Sequence, residues 1–109
     1  MNSLSKEKDF QIVFAGGKII QDEYLIVRAR TNGLGDSRWG LVVSAKVDRR
    51  AVARNRLRRQ MREIIRKNSA RLVSGLDVVV IAKKALVGKK FKEIENNLLA
   101  LLKEIRVYD

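Results

Sequence analysis

The segment Asp48–Asn68, DRRAVARNRLRRQMREIIRKN, sets single apolar residues among arginines at helical spacing. Ala53, Leu57, Met61 and Ile64 form one stripe of a predicted helix from Arg49 to Asn68, the core-facing one. Asp48 is its predicted N-cap. At about 100° per residue, Asn55, Arg59, Arg62 and Arg66 fall together on a separate face. Arg58 flanks that row, and Arg54 lies between Arg58 and the core stripe. Between Arg49 and Lys67 stand nine basic residues and one acid, Glu63. Like charges four apart weaken a helix, and Glu63 alone cannot neutralise the row, so a merely solvated face is the weaker reading. Residues four apart rise ~6 Å along the axis, close to the phosphate spacing of an extended nucleic-acid strand. Guanidinium groups grip phosphate bidentately, and Asn55 can bond phosphate, sugar hydroxyl or base edge. The row therefore reads as a rail for a nucleic-acid backbone.

Working outward, Tyr24–Arg30 reads as a strand, with Leu25, Val27 and Ala29 facing one way and Tyr24, Ile26, Arg28 and Arg30 the other. The turn formers of Thr31–Asp36 lead to a second strand, Arg38–Lys46, and the pair is expected to form a hairpin with Trp39 in or near the core. Leu76–Ala82 is predicted as a buried strand. Lys89–Arg106 is predicted as a final helix with Phe91, Ile94, Leu98, Leu101, Leu102 and Ile105 on its apolar face. At the other end, Ser3 or Ser5 is expected to cap a helix to Ala15 that places Phe10, Val13 and Phe14 on one face. Gly16-Gly17 stops it. The order helix, hairpin, helix, strand, helix predicts an α/β (α+β) sandwich, with three helices on one small mixed sheet and the basic helix as crossover. With no repeat and no long linker, residues 1–109 are expected to form a single domain.

Composition narrows the function. The 109 residues carry 24 Lys+Arg against 12 Asp+Glu, a net charge of +12. Such an excess destabilises a small domain and points to a polyanionic partner. There is no cysteine and no histidine, which removes thiolate metal sites, disulfides and the commonest general base. Asp22-Glu23 is an adjacent acidic pair in a predicted turn, and no carboxylates have metal-ligand spacing, so neither a catalytic site nor a metal site is expected. No apolar run reaches the ~18 residues of a membrane span and no signal segment is evident, so a cytoplasmic location is expected. Phe10 and Phe14 read either as core or as stacking platforms for unpaired bases. Lys83, Lys84, Lys89, Lys90 and Lys92 read equally as an auxiliary RNA contact or as a solvated face.

Lys46, then Ala51-Val52-Ala53-Arg54-Asn55-Arg56-Leu57-Arg58-Arg59, then Arg62-Glu63 resembles the signature of the bacterial ribonuclease P protein family, an Arg-Asn-Arg triplet within a basic helix. Leu4, Asp9-Phe10, Val13-Phe14 and Gly17 are similar to the family's first helix. Gly40–Ser44 and Gly75–Ile81 resemble the strands on either side of the basic helix. Each piece alone is common; four in order over most of the chain are specific. The chain departs where relatives place a Lys and a Gly after the position of Ser44; Val47, Asp48, Arg49 and Arg50 fill that stretch.

The resemblance implies a ribosomal-protein-like fold with a left-handed strand–helix–strand crossover. It implies a protein subunit that binds ribonuclease P RNA and the 5′ leader of precursor tRNA and assists endonucleolytic removal of that leader. The chemistry would lie with the RNA subunit and its Mg²⁺, with no cofactor held by the protein alone, no small-molecule substrate and no membrane partner. Lys46, Arg54, Asn55, Arg56, Arg58, Arg59, Arg62 and Arg66 would contact RNA. Phe10, Phe14, Tyr24 and Arg28 would line the leader cleft. A generic ribosomal-type RNA-binding module is the alternative that shares the charge and the fold. A helix-turn-helix DNA reader fits worse, because a strand pair is expected directly before the basic helix. A membrane-surface helix fits worse because the apolar stripe lacks aromatic anchors.

Overall fold

The computed structural model describes residues 2–72 and 74–108, with side chains through residue 105. The chain runs β1 (Asn2–Ser3), α1 (Glu7–Gly16), β2 (Lys18–Gln21), β3 (Leu25–Thr31), β4 (Arg38–Val42), α2 (Ala51–Lys67), β5 (Leu76–Ala82) and α3 (Phe91–Tyr108). Short 3-10 turns at Ser69–Arg71 and Lys84–Leu86 follow α2 and β5.

The five strands form one mixed sheet in the order β1-β4-β5-β3-β2. Strand β5 pairs parallel with β4 and antiparallel with β3. The expected hairpin of Tyr24–Arg30 with Arg38–Lys46 is therefore wrong: β5 sits between the two strands. Its apolar run explains this, because a strand with apolar side chains on both faces belongs in the middle of a sheet. The true hairpin joins β2 to β3, with Lys18 opposite Ala29 and Gln21 opposite Ile26. The Asp22 carboxylate fixes its turn by accepting the N–H groups of Tyr24 (2.8 Å) and Leu25 (2.9 Å).

Other boundaries also move. Asn2–Ser3 is not the start of a helix but a strand parallel to β4. Helix α1 begins at Glu7, after Lys6, with no side-chain cap from Ser3 or Ser5. Strand β4 ends at Val42 rather than Lys46. The N-cap of α2 is Arg50, not Asp48. The Asp48 carboxylate instead accepts the Arg50 N–H (2.9 Å) and the Arg50 guanidinium (3.0 Å), a turn one step before the helix.

The sheet has two unequal faces. Leu25, Val27, Ala29, Trp39, Val78 and Val80 pack with Leu57, Met61, Ile64 and Ile65 of α2 and with Ile94, Leu98, Leu102 and Ile105 of α3. Val79 faces the opposite way and is covered with Val13 of α1 and Leu4 just before it, so the N-terminal segment holds that side. The main core is aliphatic, as the low aromatic content requires.

Handedness follows from the stereochemistry of L-residues. In an upward-running strand, a residue whose side chain faces the viewer points its N–H and C=O to the right. Asn32 N–H bonds Gly75 O and Lys83 N–H bonds Tyr24 O, so with the given register Asp77, Val79 and Ile81 direct their backbone groups at β3. Those residues face α1. Viewed from the α2 side with β5 upward, β4 then lies to the right of β5, and the path β4–α2–β5 steps leftward. The crossover is left-handed, against a preference of about 98% for the right-handed form. The Leu4 N–H bond to Trp39 O gives the same sense for β1 beside β4.

One buried polar cluster ties α2 to α3. Glu95 is almost fully buried. It accepts Asn68 Nδ2 at 3.1 Å and Lys92 Nζ at 3.2 Å, and Lys67 Nζ lies 3.3 Å away. The Asn68 amide, followed by Lys92, holds its carboxyl down to about 2, against opposition from burial and with help from Lys67. Because the folded value lies below the ordinary 4.5, this cluster stabilises fully above pH 4.5 and loses its contribution as pH falls through about 2. Glu95→Gln should therefore lower thermal stability at pH 6, with the gap to the parent closing between pH 4.5 and 2. Melting curves across that range check this; a gap independent of pH would refute the assignment.

Candidate nucleic-acid interface

Helix α2 presents its arginines in two populations. Asn55, Arg59, Arg62 and Arg66 are exposed on the side away from the core, as their spacing predicts. Arg66 is bound to Glu63 (Nη2–Oε1 2.6 Å), which leaves Arg59 and Arg62 without an acidic partner among the described residues. The flanking arginines are turned inward. Arg54 Nη1 donates to the carbonyls of Asp48 (3.0 Å) and Arg49 (2.8 Å), tying the preceding turn to the helix. Arg58 Nη1 donates to the Val43 carbonyl (3.3 Å), and its other nitrogen to Asn55 Oδ1. Arg58 thus orients Asn55 at the head of the row. Arg56 is exposed but faces α3 rather than the row. Lys46 is exposed in the turn before α2, off the helix itself. The first turn of α2 holds no acid and no side-chain cap, so its positive end adds to the charge of the row.

The second surface is on the α1 face of the sheet. Three transverse rows cross it: Arg38, Asp77 and Arg30; Gly40, Val79, Arg28 and Ile19; then Val42, Ile81, Ile26 and Gln21. Helix α1 covers the middle row. Phe10 rests on Gly40, where an added Cβ would come within 2.5 Å of the ring. A larger residue there would displace Phe10, so the glycine seats the aromatic. Phe14 stands over Arg28, with the guanidinium carbon 5.1 Å from the ring centroid. Phe14 is 39% exposed, an open face for an aromatic on a helix. Arg28 Nε is buried with no hydrogen-bond partner among the described residues. At the end of α1, Gly17 passes so close to the Ala29 carbonyl that a Cβ would lie 2.7 Å from it.

The first row is closed by ion pairing. Arg38 binds Asp77 at 2.8 and 2.6 Å, Asn32 Nδ2 adds a bond of 3.0 Å, and Asp9 of α1 stands 3.7 Å from Arg38. Burial pushes the Asp77 carboxyl up, but the bonds from Arg38 and Asn32 outweigh it and hold it below the usual range. The third row stays partly open: Val42, Ile81 and Ile26 are half-buried. A trough results, with an apolar floor, a wall carrying Phe10 and Phe14, and Arg28 at its side.

Tyr24 is not brought to this trough. It packs against the opposite, α2/α3 side of the sheet, with Lys89 Nζ 4.6 Å from its ring centroid. Ile19 and Gly40 belong to the site and were not picked out. The β-branched pair Ile19-Ile20 before Asp22 is the signal that could have shown the edge strand. Among the described residues, no group of three acidic, His or Cys side chains could hold a metal, and no helix is long and apolar enough to cross a membrane.

Residues 1–106 match the family model described as Ribonuclease P. A Ribonuclease P protein component of Thermotoga maritima is 41% identical over 107 residues, covering 94% of this chain and 90% of that protein. One from Pelotomaculum thermopropionicum is 36% identical, covering 98% and 95%. Among solved structures, the ribonuclease P protein of Thermotoga maritima superposes with a TM-score of 0.88 at 39% identity, over 95% of this chain and 97% of that one. That of Staphylococcus aureus gives 0.89 at 26% identity, over 100% and 99%.

The two arginine populations should separate on mutation. Arg54→Ala and Arg58→Ala each remove bonds to backbone carbonyls and should cost roughly 1 kcal/mol of stability. Arg59→Ala and Arg62→Ala should stay within about 0.5 kcal/mol of the parent. Urea denaturation of the four variants checks this; equal losses in both sets would contradict the assignment.

Proposed function

From the premise that the chain belongs to the ribonuclease P protein family, and so to an endoribonuclease complex that processes tRNA, we propose how its two surfaces divide the work. The outer row of α2, headed by Asn55, docks on ribonuclease P RNA. Arg59 and Arg62 take phosphates, while Arg54 and Arg58 fix the geometry from behind. The trough beside α1 takes the 5′ leader of precursor tRNA. Phe14 and Phe10 offer ring faces to unpaired bases, and Arg28, stacked on Phe14, adds positive charge at the side of the trough.

The observation that carries this reading is the separation of the two surfaces. The arginine row stands outside α2, above one sheet face, and the trough lies on the other. One small domain can then hold two RNAs at once without their backbones colliding. Cleavage is assigned to the RNA subunit with its Mg²⁺. This chain has no histidine or cysteine. The carboxylates of Asp48, Asp77 and Glu95 are engaged in bonds that hold the fold. It supplies binding and orientation.

Adding the chain to a ribonuclease P RNA should tighten binding of precursor tRNA more than of mature tRNA, and the preference should fade as the leader is cut to one or two nucleotides. Phe14→Ala should reduce the preference and leave assembly with the RNA intact. Arg62→Ala should lower the slope of log K against log [salt] for RNA assembly by about 1. The chain alone should leave precursor tRNA uncut. Equal tightening of precursor and mature tRNA would sink the trough assignment, and an unchanged salt slope would sink the row.

A further inference from the structure

A third surface lies on the α2/α3 side of the sheet, beside the outer row of α2. Helix α2 and the segment leading into α3 enclose a groove of about 550 Å³. Its floor is apolar, made by Ala53, Leu57, Val87 and Phe91. Gln60 projects into it from α2, and Arg56, Lys89 and Lys90 stand at its rim. Asp48 and Arg50 also border it, but they neutralise each other through their own ion pair. Lys89 is shared with the Tyr24 ring and with Glu93 at 3.9 Å. Arg56 and Lys90 have no acidic partner among the described residues, so the rim keeps a positive surplus.

We propose that this groove holds one unpaired nucleotide of the RNA that lies along the outer row of α2, its base on the apolar floor and its flanking phosphates on Arg56 and Lys90. This rests on the reading that α2 docks on ribonuclease P RNA. An apolar floor under a cationic rim matches a nucleotide, whose base is flat and apolar on its faces and whose backbone is anionic. A duplex hides those faces and leaves the floor unfilled. A bare phosphate would use only the rim. The Gln60 amide carries both donors and an acceptor, as a base edge requires. Geometry favours the same strand: Arg56 follows Asn55 directly, about 100° around the helix, so the groove begins where the row ends.

The test uses the full chain assembled with ribonuclease P RNA, without precursor tRNA. Val87 and Arg62 are replaced, one at a time, by a benzophenone-bearing residue, and the crosslinked nucleotides are mapped. The Val87 probe should mark one unpaired nucleotide, distinct from those marked from position 62. Lys90→Glu should weaken assembly roughly tenfold, as expected when a charge-assisted contact is lost. Gln60→Ala should weaken it less and leave the salt dependence unchanged. Crosslinking from position 62 but none from 87, or from 87 only to paired nucleotides, overturns the groove and leaves the docking of α2 standing. Crosslinking from neither position removes both. Unaltered affinity in folded Lys90→Glu and Gln60→Ala also overturns the groove.

Discussion

Strand β5 is hydrogen-bonded along both edges and closed on both faces, and the other elements are placed by what it needs. Val78, Val79 and Val80 are all fully buried, although successive residues of a strand point to opposite sides. Both faces of the sheet therefore require cover, and the chain supplies it unequally. Helices α2 and α3 close one face over its length. The other is covered by the ten residues of α1 and by Leu4 just before them. A single short helix lying across the strands covers one transverse row well and leaves the next half open. The trough follows from that shortage of cover, and the aromatics of α1 border it because they straddle the boundary between covered and open rows.

The charge of the chain is divided just as unequally. Arg38, Arg54, Arg58 and Lys67 spend their donors on carboxylates or carbonyls that hold loops and helices together. Asp48, Glu63, Asp77 and Glu95 are consumed in the same way. Among what remains are Arg59 and Arg62 on the outer side of α2 and Arg56 and Lys90 at the α2–α3 groove. Folding thus acts as a sorting step: it pairs the charges that lie near backbone and leaves the rest where a polyanion can reach them.

Much of this was legible in the sequence where periodicity is strong. The α2 stripe, the apolar face of α3, the buried strand Leu76–Ala82 and the outward row from Asn55 to Arg66 all follow from spacing. The strand neighbours did not. Asn32-Gly33 between two strands is a hairpin signal, yet here the Asn32 side chain bonds Leu34 N–H, Asp36 O and Asp77, spreading the connection so that a third strand fits between. Pairing over that distance leaves no local trace. Strand β2 was missed because it is an exposed edge with one inward residue, Ile20. The role of Tyr24 was misplaced because alternation within a strand cannot tell which way a residue turns just before the strand begins, where the Asp22 turn redirects the chain. The inward duty of Arg54 and Arg58 is set by carbonyls of the β4–α2 connection, which composition does not show.

The insertion of β5 between β3 and β4 also sets an order of events during synthesis. Leu25 pairs with Ala82 and Arg38 with Asp77, so neither long strand has its main partner until most of the chain has left the ribosome. Before then only the β2–β3 hairpin and the two-residue contact of β1 with β4 can form. Synthesis at roughly 5–20 residues per second leaves that nascent portion without a closed sheet for seconds. The last strand to emerge closes the sheet, and α3 must still follow it to complete the main core, so tertiary structure arrives late. The mutual repulsion of a strongly cationic chain helps keep those waiting strands from pairing with other copies during that interval.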